Sequence, residues 1–249
     1  MTDAPARAPR SAPRLIGETF QLYWRYPLLF LILAAGVVIP YRLIVLAATG
    51  TGPLNQGDLA AGTSMLLTLI DWVVVGPLVS ALHVHAVAEV EEGRTPRLAP
   101  VARRGLAVLP LVASAAIMSG LAFFGGFLLF VLPGVYLYFR LVVTAQAAAI
   151  EREAWMPALR RSWSLTEGSL LHVFFFAVCT GLITIVPGLL IDRALPDETT
   201  VGPFLAGVAV QVLVISFTAL ATALLYFDLR ARRKIAATDW LEKNQTPVR

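Results

Sequence analysis

Residues 130–169 read FVLPGVYLYFRLVVTAQAAAIEREAWMPALRRSWSLTEGS. The stretch opens on a Pro-Gly break and runs into a helix of lipid-spanning length that carries one internal arginine. A charged boundary, a Trp/Arg segment and the start of another apolar run follow. This alternation predicts membrane helices joined by short connections, and composition agrees. The 249-residue chain is 57% hydrophobic and 14% charged, with mean hydropathy +0.74, against about 25% charged residues in a soluble domain. The net charge of +4 comes from basic residues scattered in the connections between apolar runs. That is how a membrane protein sets its orientation, and no nucleic-acid partner is expected. Cys179 is the only cysteine and lies inside an apolar run, so it reads as a small packing residue with no disulfide framework.

Upstream of this stretch, residues 105–150 are apolar apart from Arg140 and hold two spans in a tight hairpin. The turn falls either at Gly125-Gly126, giving two ordinary helices, or at Pro133-Gly134, leaving a short fourth one. Residues 91–104 form a link with Arg94, Arg97, Arg103 and Arg104. Before it, 64–90 is the second and most polar span, 49–63 a link without Lys or Arg, and 27–48 the first span. Residues 15–26 place Ile16, Phe20 and Tyr23 at helical spacing, which suits an amphipathic helix lying at the interface. Residues 1–14 are expected to be a disordered basic tail. The first apolar run is too long for a signal-peptide core, so no cleavable signal is expected. Downstream, 153–165 forms a second interfacial helix, with Trp155, Leu159 and Trp163 on one stripe and Arg160 and Arg161 off it. Residues 169–191 are the fifth span, 192–198 a mostly acidic link, 199–227 the sixth span, and 235–249 a cytoplasmic tail. The fold class is therefore all-α: a polytopic bundle of six transmembrane helices over residues 15–234, with two interfacial amphipathic helices.

Charge sets the orientation. Four arginines precede the first span, four lie in the 91–104 link, three in 151–168, and six basic residues follow the sixth span. Only Arg193 falls on the other side, while Arg42 and Arg140 lie within spans. Both termini are expected in the cytoplasm, on the inner face of the cell membrane. A faint internal repeat also relates 15–90 to 153–229, with Phe20-Gln-Leu22 matching Trp163-Ser-Leu165. Duplication and the shared physics of helix pairs both account for it.

Ionisable groups inside spans are costly and mark candidate sites. His83 and His85 form an H-x-H pair, but residues two apart on a helix point about 200° apart, which disfavours one shared metal ion. His85 and Glu89 share a face, and Asp71 returns to within about 40° of it. Arg140, Thr144 and Glu151 make a similar stripe on the fourth span. Arg140 is expected to snorkel or to pair with Glu89 or His85, and Arg42 to reach Asp71. An ion path and a set of structural ion bridges both fit. The other helices offer only Gln211, Ser216, Thr218, Thr222 and His172, too discontinuous a polarity for a path. Thr218 and Thr222, with Ala219 and Ala223, suit a close helix-packing face. No G-x-S-x-G turn, phosphate-binding loop, H-E-x-x-H or cysteine cluster occurs. Glu91-Glu92 lies in a link and lacks the downstream histidines of membrane prenyl-type proteases. No catalytic, cofactor or metal residue is assigned, and an enzyme is not expected.

Leu132-Pro-Gly-Val-Tyr-Leu-Tyr-Phe-Arg140 followed by Ala158-Leu-Arg-Arg-Ser-Trp-Ser-Leu-Thr-Glu-Gly168 resembles the PGxY…R and A-L-x-R-S-W-x-L-x-x-G pattern of a bacterial group. These are uncharacterised six-helix membrane proteins related to the membrane domain of glycerophosphoryl diester phosphodiesterases. The ending at 225–230 and the opening at 14–20 are similar to that group's closing and opening motifs. The resemblance implies a six-span fold and carries over no catalytic residue, since the phosphodiesterase barrel and its metal ligands are missing. The expected role is a non-enzymatic membrane component. It would act on the anionic cytoplasmic leaflet through Trp155, Arg160, Arg161 and Trp163, or through a protein partner or a second copy of itself. The alternative is a small-solute or ion transporter using Arg42, Asp71, His85, Glu89 and Arg140.

Overall fold

The structure is a computed structural model that describes residues 9–52, 59–194 and 201–245. The expectations for residues 1–8 and most of the acidic 192–198 link lie outside the described residues. Six helices or helix pairs are long and apolar enough to cross a membrane, and no strand occurs among the described residues. The chain starts with α1 (Ala12–Arg25), and the first span is α2 (Pro27–Thr49). Pro27 opens α2 at the position where a missing amide costs nothing. Gly50, at φ 70, closes it in the left-handed conformation that glycine takes without strain.

The second span is α3 (Ala61–Ile70), a π turn at Asp71–Val75 and α4 (Gly76–Glu91). Pro77 explains the π turn. It has no amide to donate, and its ring crowds the carbonyl four residues back, so the register widens and Gly76 N–H bonds to Asp71 O instead. After α5 (Leu98–Ala107) come the third span α6 (Leu109–Leu129) and a fourth built from α7 (Val131–Leu141) and α8 (Thr144–Glu151). Then follow α9 (Trp155–Thr166), the fifth span α10 (Leu170–Ala194) and α11 (Val201–Gln245).

Beyond the sixth span the same helix continues as far as Gln245, into the tail. Two expectations are corrected. Residues 9–14 are not a disordered tail: α1 starts at Ala12, and Arg10 is 6% exposed. The 91–104 link holds a helix of its own, α5, whose residues Val101 and Gly105 are buried. A Cβ on Gly105 would sit 2.6 Å from Leu82, which is how closely α5 meets α4.

Neither proposed hairpin turn is used. The chain reverses at Phe130, a single extended residue (φ −168°, ψ 152°). The glycines on either side serve packing instead. A Cβ on Gly134 would lie 2.7 Å from Phe127 Cα, and one on Gly126 3.2 Å from Gly134 Cα. Lipid offers helices no hydrophobic reason to associate, so close backbone approach at small residues is what binds them.

The same logic fixes the centre. Helix α4 is buried nearly all round, and it packs on α11, whose Leu220, Ala221, Ala223, Leu224, Leu225 and Tyr226 are buried. Ala147, Ala148 and Ala149 of α8 complete that core at 0% exposure. Helices α6 and α10 are peripheral, with few buried positions in their apolar stretches. The architecture is one plan three times over: a short lead-in helix, a span, and a returning span. The copies are α1 to α4, α5 to α8, and α9 to α11.

Gly134→Ala is expected to destabilise the protein by about 1–3 kcal/mol, because the intruding methyl meets backbone. Gly125→Ala, with nothing within 4 Å, is expected to stabilise it by roughly 0.5–1 kcal/mol. Thermal melts of the two purified variants check the contrast.

Candidate functional site

Each returning span ends on a carboxylate, and each carboxylate holds the next lead-in helix. Glu89 of α4, 6% exposed, accepts from Arg104 Nη1 (2.7 Å) and from the Arg97 amide (3.3 Å) at the start of α5. Glu151 of α8 accepts from Arg161 Nε of α9 (2.7 Å) and from Tyr226 Oη of α11 (2.9 Å). Asp228 of α11, 2% exposed, accepts from the Arg10 amide (2.7 Å) just ahead of α1. It also accepts from Arg232 Nε (2.6 Å), and His172 Nε2 stands 3.2 Å away without hydrogen-bond alignment. The third latch joins the last helix to the first and closes the ring. Arg10 adds to the closure by pairing with Glu18 (3.0 Å) and with Glu91 at the end of α4 (3.1 Å), while Arg232 donates to the Arg10 carbonyl. The three lead-in helices therefore form a collar around one end of the bundle. A buried carboxylate left without partners would be costly, so each latch commits its helix to one position.

The collar also repairs a break. Between α7 and α8 the fourth span is interrupted at Val142–Val143, which frees the Arg140 carbonyl. Ser162 Oγ of α9 donates to it (2.9 Å), and Thr166 Oγ1, whose proton is shared with the nearer carbonyls of Ser162 and Trp163, stands 3.3 Å away; both residues are fully buried. Backbone freed inside a membrane must find such a partner within the protein. The Arg140 side chain turns outward. Its guanidinium lies over the rings of Tyr136 (5.2 Å) and Trp163 (4.7 Å), and it donates to Tyr136 Oη (2.9 Å). The expected pairing of Arg140 with Glu89 or His85 is not made, because Glu89 is already occupied by α5.

Arg42 and Asp71 do meet. Arg42 Nη2 donates to Asp71 Oδ2 (2.9 Å) and Nε to Gln211 Oε1 of α11 (2.5 Å), and the guanidinium lies over the Tyr41 ring (4.9 Å). Arg42 Nη1 and Asp71 Oδ1 are buried without a partner. The predicted stripe of Asp71, His85 and Glu89 is not continuous. A π turn holds one more residue than an α turn, which retards the helix by about 100° and swings Asp71 away from His85.

The two histidines part company. His83, at 0% exposure, donates from Nδ1 to the Val79 carbonyl (2.8 Å), meets Ser216 Oγ at Nε2 (2.9 Å) and stacks on Phe30. His85 is 8% exposed, with Nε2 unpartnered. Among the collar residues expected to meet lipid, Trp155, Trp163 and Arg160 are exposed, whereas Arg161 is tied to Glu151.

Sequence reasoning missed Arg10, Ser162, Thr166, Asp228 and Gln146. Gln146 lies in α8 at 3% exposure, donating to Ser80 Oγ (2.9 Å) and Thr222 Oγ1 (3.0 Å). An isolated glutamine in an alanine run was its signal. No family model, curated protein or solved structure matches the chain.

Asp228→Ala is expected to cost about 3–5 kcal/mol, since it strands Arg232 and the Arg10 amide. It should also release α1, which trypsin cleavage at Arg14, compared with wild type, would detect.

Proposed function

We propose that the protein is a non-enzymatic component of a cell inner membrane, with both termini cytoplasmic, working through contacts with anionic lipid and protein partners at the collar. The observation that carries this reading is the outer surface of that collar. Trp24 (77% exposed) and Arg25 of α1, Arg97 and Arg103 flanking or within α5, and Trp155, Arg160 and Trp163 of α9 all face outward. Tryptophan and arginine side by side suit headgroup depth, where a ring takes the apolar side and a guanidinium reaches phosphate. Each free basic residue adds about 1 kcal/mol of attraction to an anionic leaflet. The carboxylate latches support the reading from beneath, because they hold the amphipathic helices in place and neutralise the inward-facing arginines. The resemblance to the six-helix relatives of the phosphodiesterase membrane domain belongs to the same reading. It lends a membrane role and no catalytic step.

Arg25→Gln, Arg103→Gln and Arg160→Gln together are expected to reduce anionic lipid retained by the purified protein in native mass spectrometry, with Tm unchanged. Arg161→Gln, by contrast, is expected to lower Tm by breaking a latch. Equal lipid retention by the triple variant and wild type would sink the reading.

One observation favours a transporter as a second reading. The Arg42–Asp71–Gln211 cluster keeps two unpartnered polar atoms within the spans, beside a π turn, a feature common at functional sites. An open hollow of about 400 Å³ reaches Asp71. Proteoliposomes are then expected to carry an ion or solute flux that Asp71→Asn abolishes. Wild-type flux no greater than that of empty vesicles removes this reading.

A further inference from the structure

A cleft of about 270 Å³ lies among the second, third, fourth and sixth spans, at the foot of the π turn. Its walls include Trp72, Ala116, Phe123, Tyr138 and Ile215, and among the described residues no charged side chain lines it. Its polar part comes from Ser80, Ser119, Gln146, Thr218 and Thr222, with the aromatic lining adding the Tyr138 hydroxyl and the Trp72 indole N–H. Three of those hydroxyls have already given up their protons. Thr222 Oγ1 gives its proton to the carbonyls of Thr218 (2.9 Å) and Ala219 (3.1 Å), and Thr218 Oγ1 to Val214 (2.8 Å). Ser119 Oγ gives its proton to Ala116 (3.0 Å). These three hydroxyls can only accept from anything further.

That fixes the Gln146 amide as well. Thr222 has no proton left to donate, so the amide must present its NH₂ to Thr222 and Ser80. The Oε1 is then left without a partner on a side chain that is 3% exposed. A buried unsatisfied carbonyl oxygen among hydroxyl acceptors calls for a donor.

We propose that this cleft binds a neutral amphiphile with one hydroxyl on an apolar chain, an aliphatic or isoprenoid alcohol, whose O–H donates to Gln146 Oε1. The inference stands apart from the collar reading. A charged headgroup does not fit, because nothing in the wall would neutralise it. The chain has somewhere to go. Trp72, Phe123 and Tyr138 also wall the neighbouring hollow of about 400 Å³, which is otherwise lined by Leu69 and Phe124, 39% and 53% exposed, and by Thr68 and Asp71. The hydroxyl therefore reaches the interior while the tail extends past the aromatic partition toward lipid. The partition is held in place from behind. Trp72 lies so close over Gly120 that a Cβ there would come within 1.9 Å of the indole.

The test is a thermal-shift titration of the purified protein with 1-dodecanol and with dodecyl methyl ether, matched in mole fraction within the micelle. The ether keeps the chain and lacks the donor. Wild type is expected to bind the alcohol about five- to tenfold more tightly, the worth of one buried hydrogen bond. Gln146→Leu should erase that preference, and Ala116→Phe, which fills the cleft from the third span and leaves Gln146 in place, should abolish saturable binding of both probes. Equal affinity for alcohol and ether, a preference that survives Gln146→Leu, or no saturable binding at all overturns the proposal. Should Gln146→Leu fail to fold, saturable alcohol binding retained by Ala116→Phe overturns it equally.

Discussion

The rest of the structure depends on three carboxylates at one end of a membrane bundle, Glu89 and Asp228 buried and Glu151 partly so. Helices in lipid gain little from hydrophobic association, so position must come from close packing and from polar groups that cannot be left alone. Glu89, Glu151 and Asp228 lie near the ends of the three returning spans, and each takes at least one partner from, or just ahead of, the lead-in helix that follows in the ring. Removing any one carboxylate strands an arginine or an amide, so the arrangement is settled by what it would cost to leave. The last latch, from α11 back to the chain ahead of α1, makes the first and last elements neighbours and turns a linear succession of helix pairs into a closed collar.

Much of this was legible in the sequence, for definite reasons. Apolar runs near the bilayer length, cut by short basic connections, gave the six spans. The i to i+4 spacing of Trp155, Leu159 and Trp163 gave α9, and the placement of Arg42 and Asp71 gave their ion pair. Errors arose where tertiary structure overrode local pattern. Residues 98–107 are few, carry adjacent arginines at 103 and 104 and expose most of their surface, so no long apolar stripe announced α5. Arg10 looked like part of a Pro/Ala/Arg-rich tail because its partners lie 81 and 218 residues away. Asp228 looked like the first charge of a tail because its burial depends on α1 and α10. The Asp71–His85 stripe failed because one proline, Pro77, changed the helical period between them. With α5 unread, the threefold plan could be seen only as a faint echo between its outer two copies.

The irregular backbone has a common logic. The π turn in the second span lies at the edge of the Gln146 cleft, and the break in the fourth span separates that cleft from the α9 dock. The break in the fourth span falls where α9 can satisfy the freed carbonyl, as a membrane interior requires, whereas the π turn keeps its bond within the helix. The collar accordingly has two sides, an outer one that exposes Trp and Arg and an inner one that supplies Ser162 to a freed carbonyl. The cleft is kept neutral and the Arg42–Asp71 pair lies apart from the carboxylate latches, so polar chemistry within the spans is divided among small, separated places.

The central claim is that the lead-in helices are held by the bundle itself and not merely by a membrane surface. Hydrogen–deuterium exchange of the wild-type protein in detergent micelles, where no bilayer leaflet is present, tests this most directly. Backbone amides of residues 15–25, 101–107 and 158–166 should be protected to a degree comparable with the exposed spans α6 and α10. Rapid, unprotected exchange across all three segments, beside protected spans, would show helices resting on lipid alone and would contradict the account.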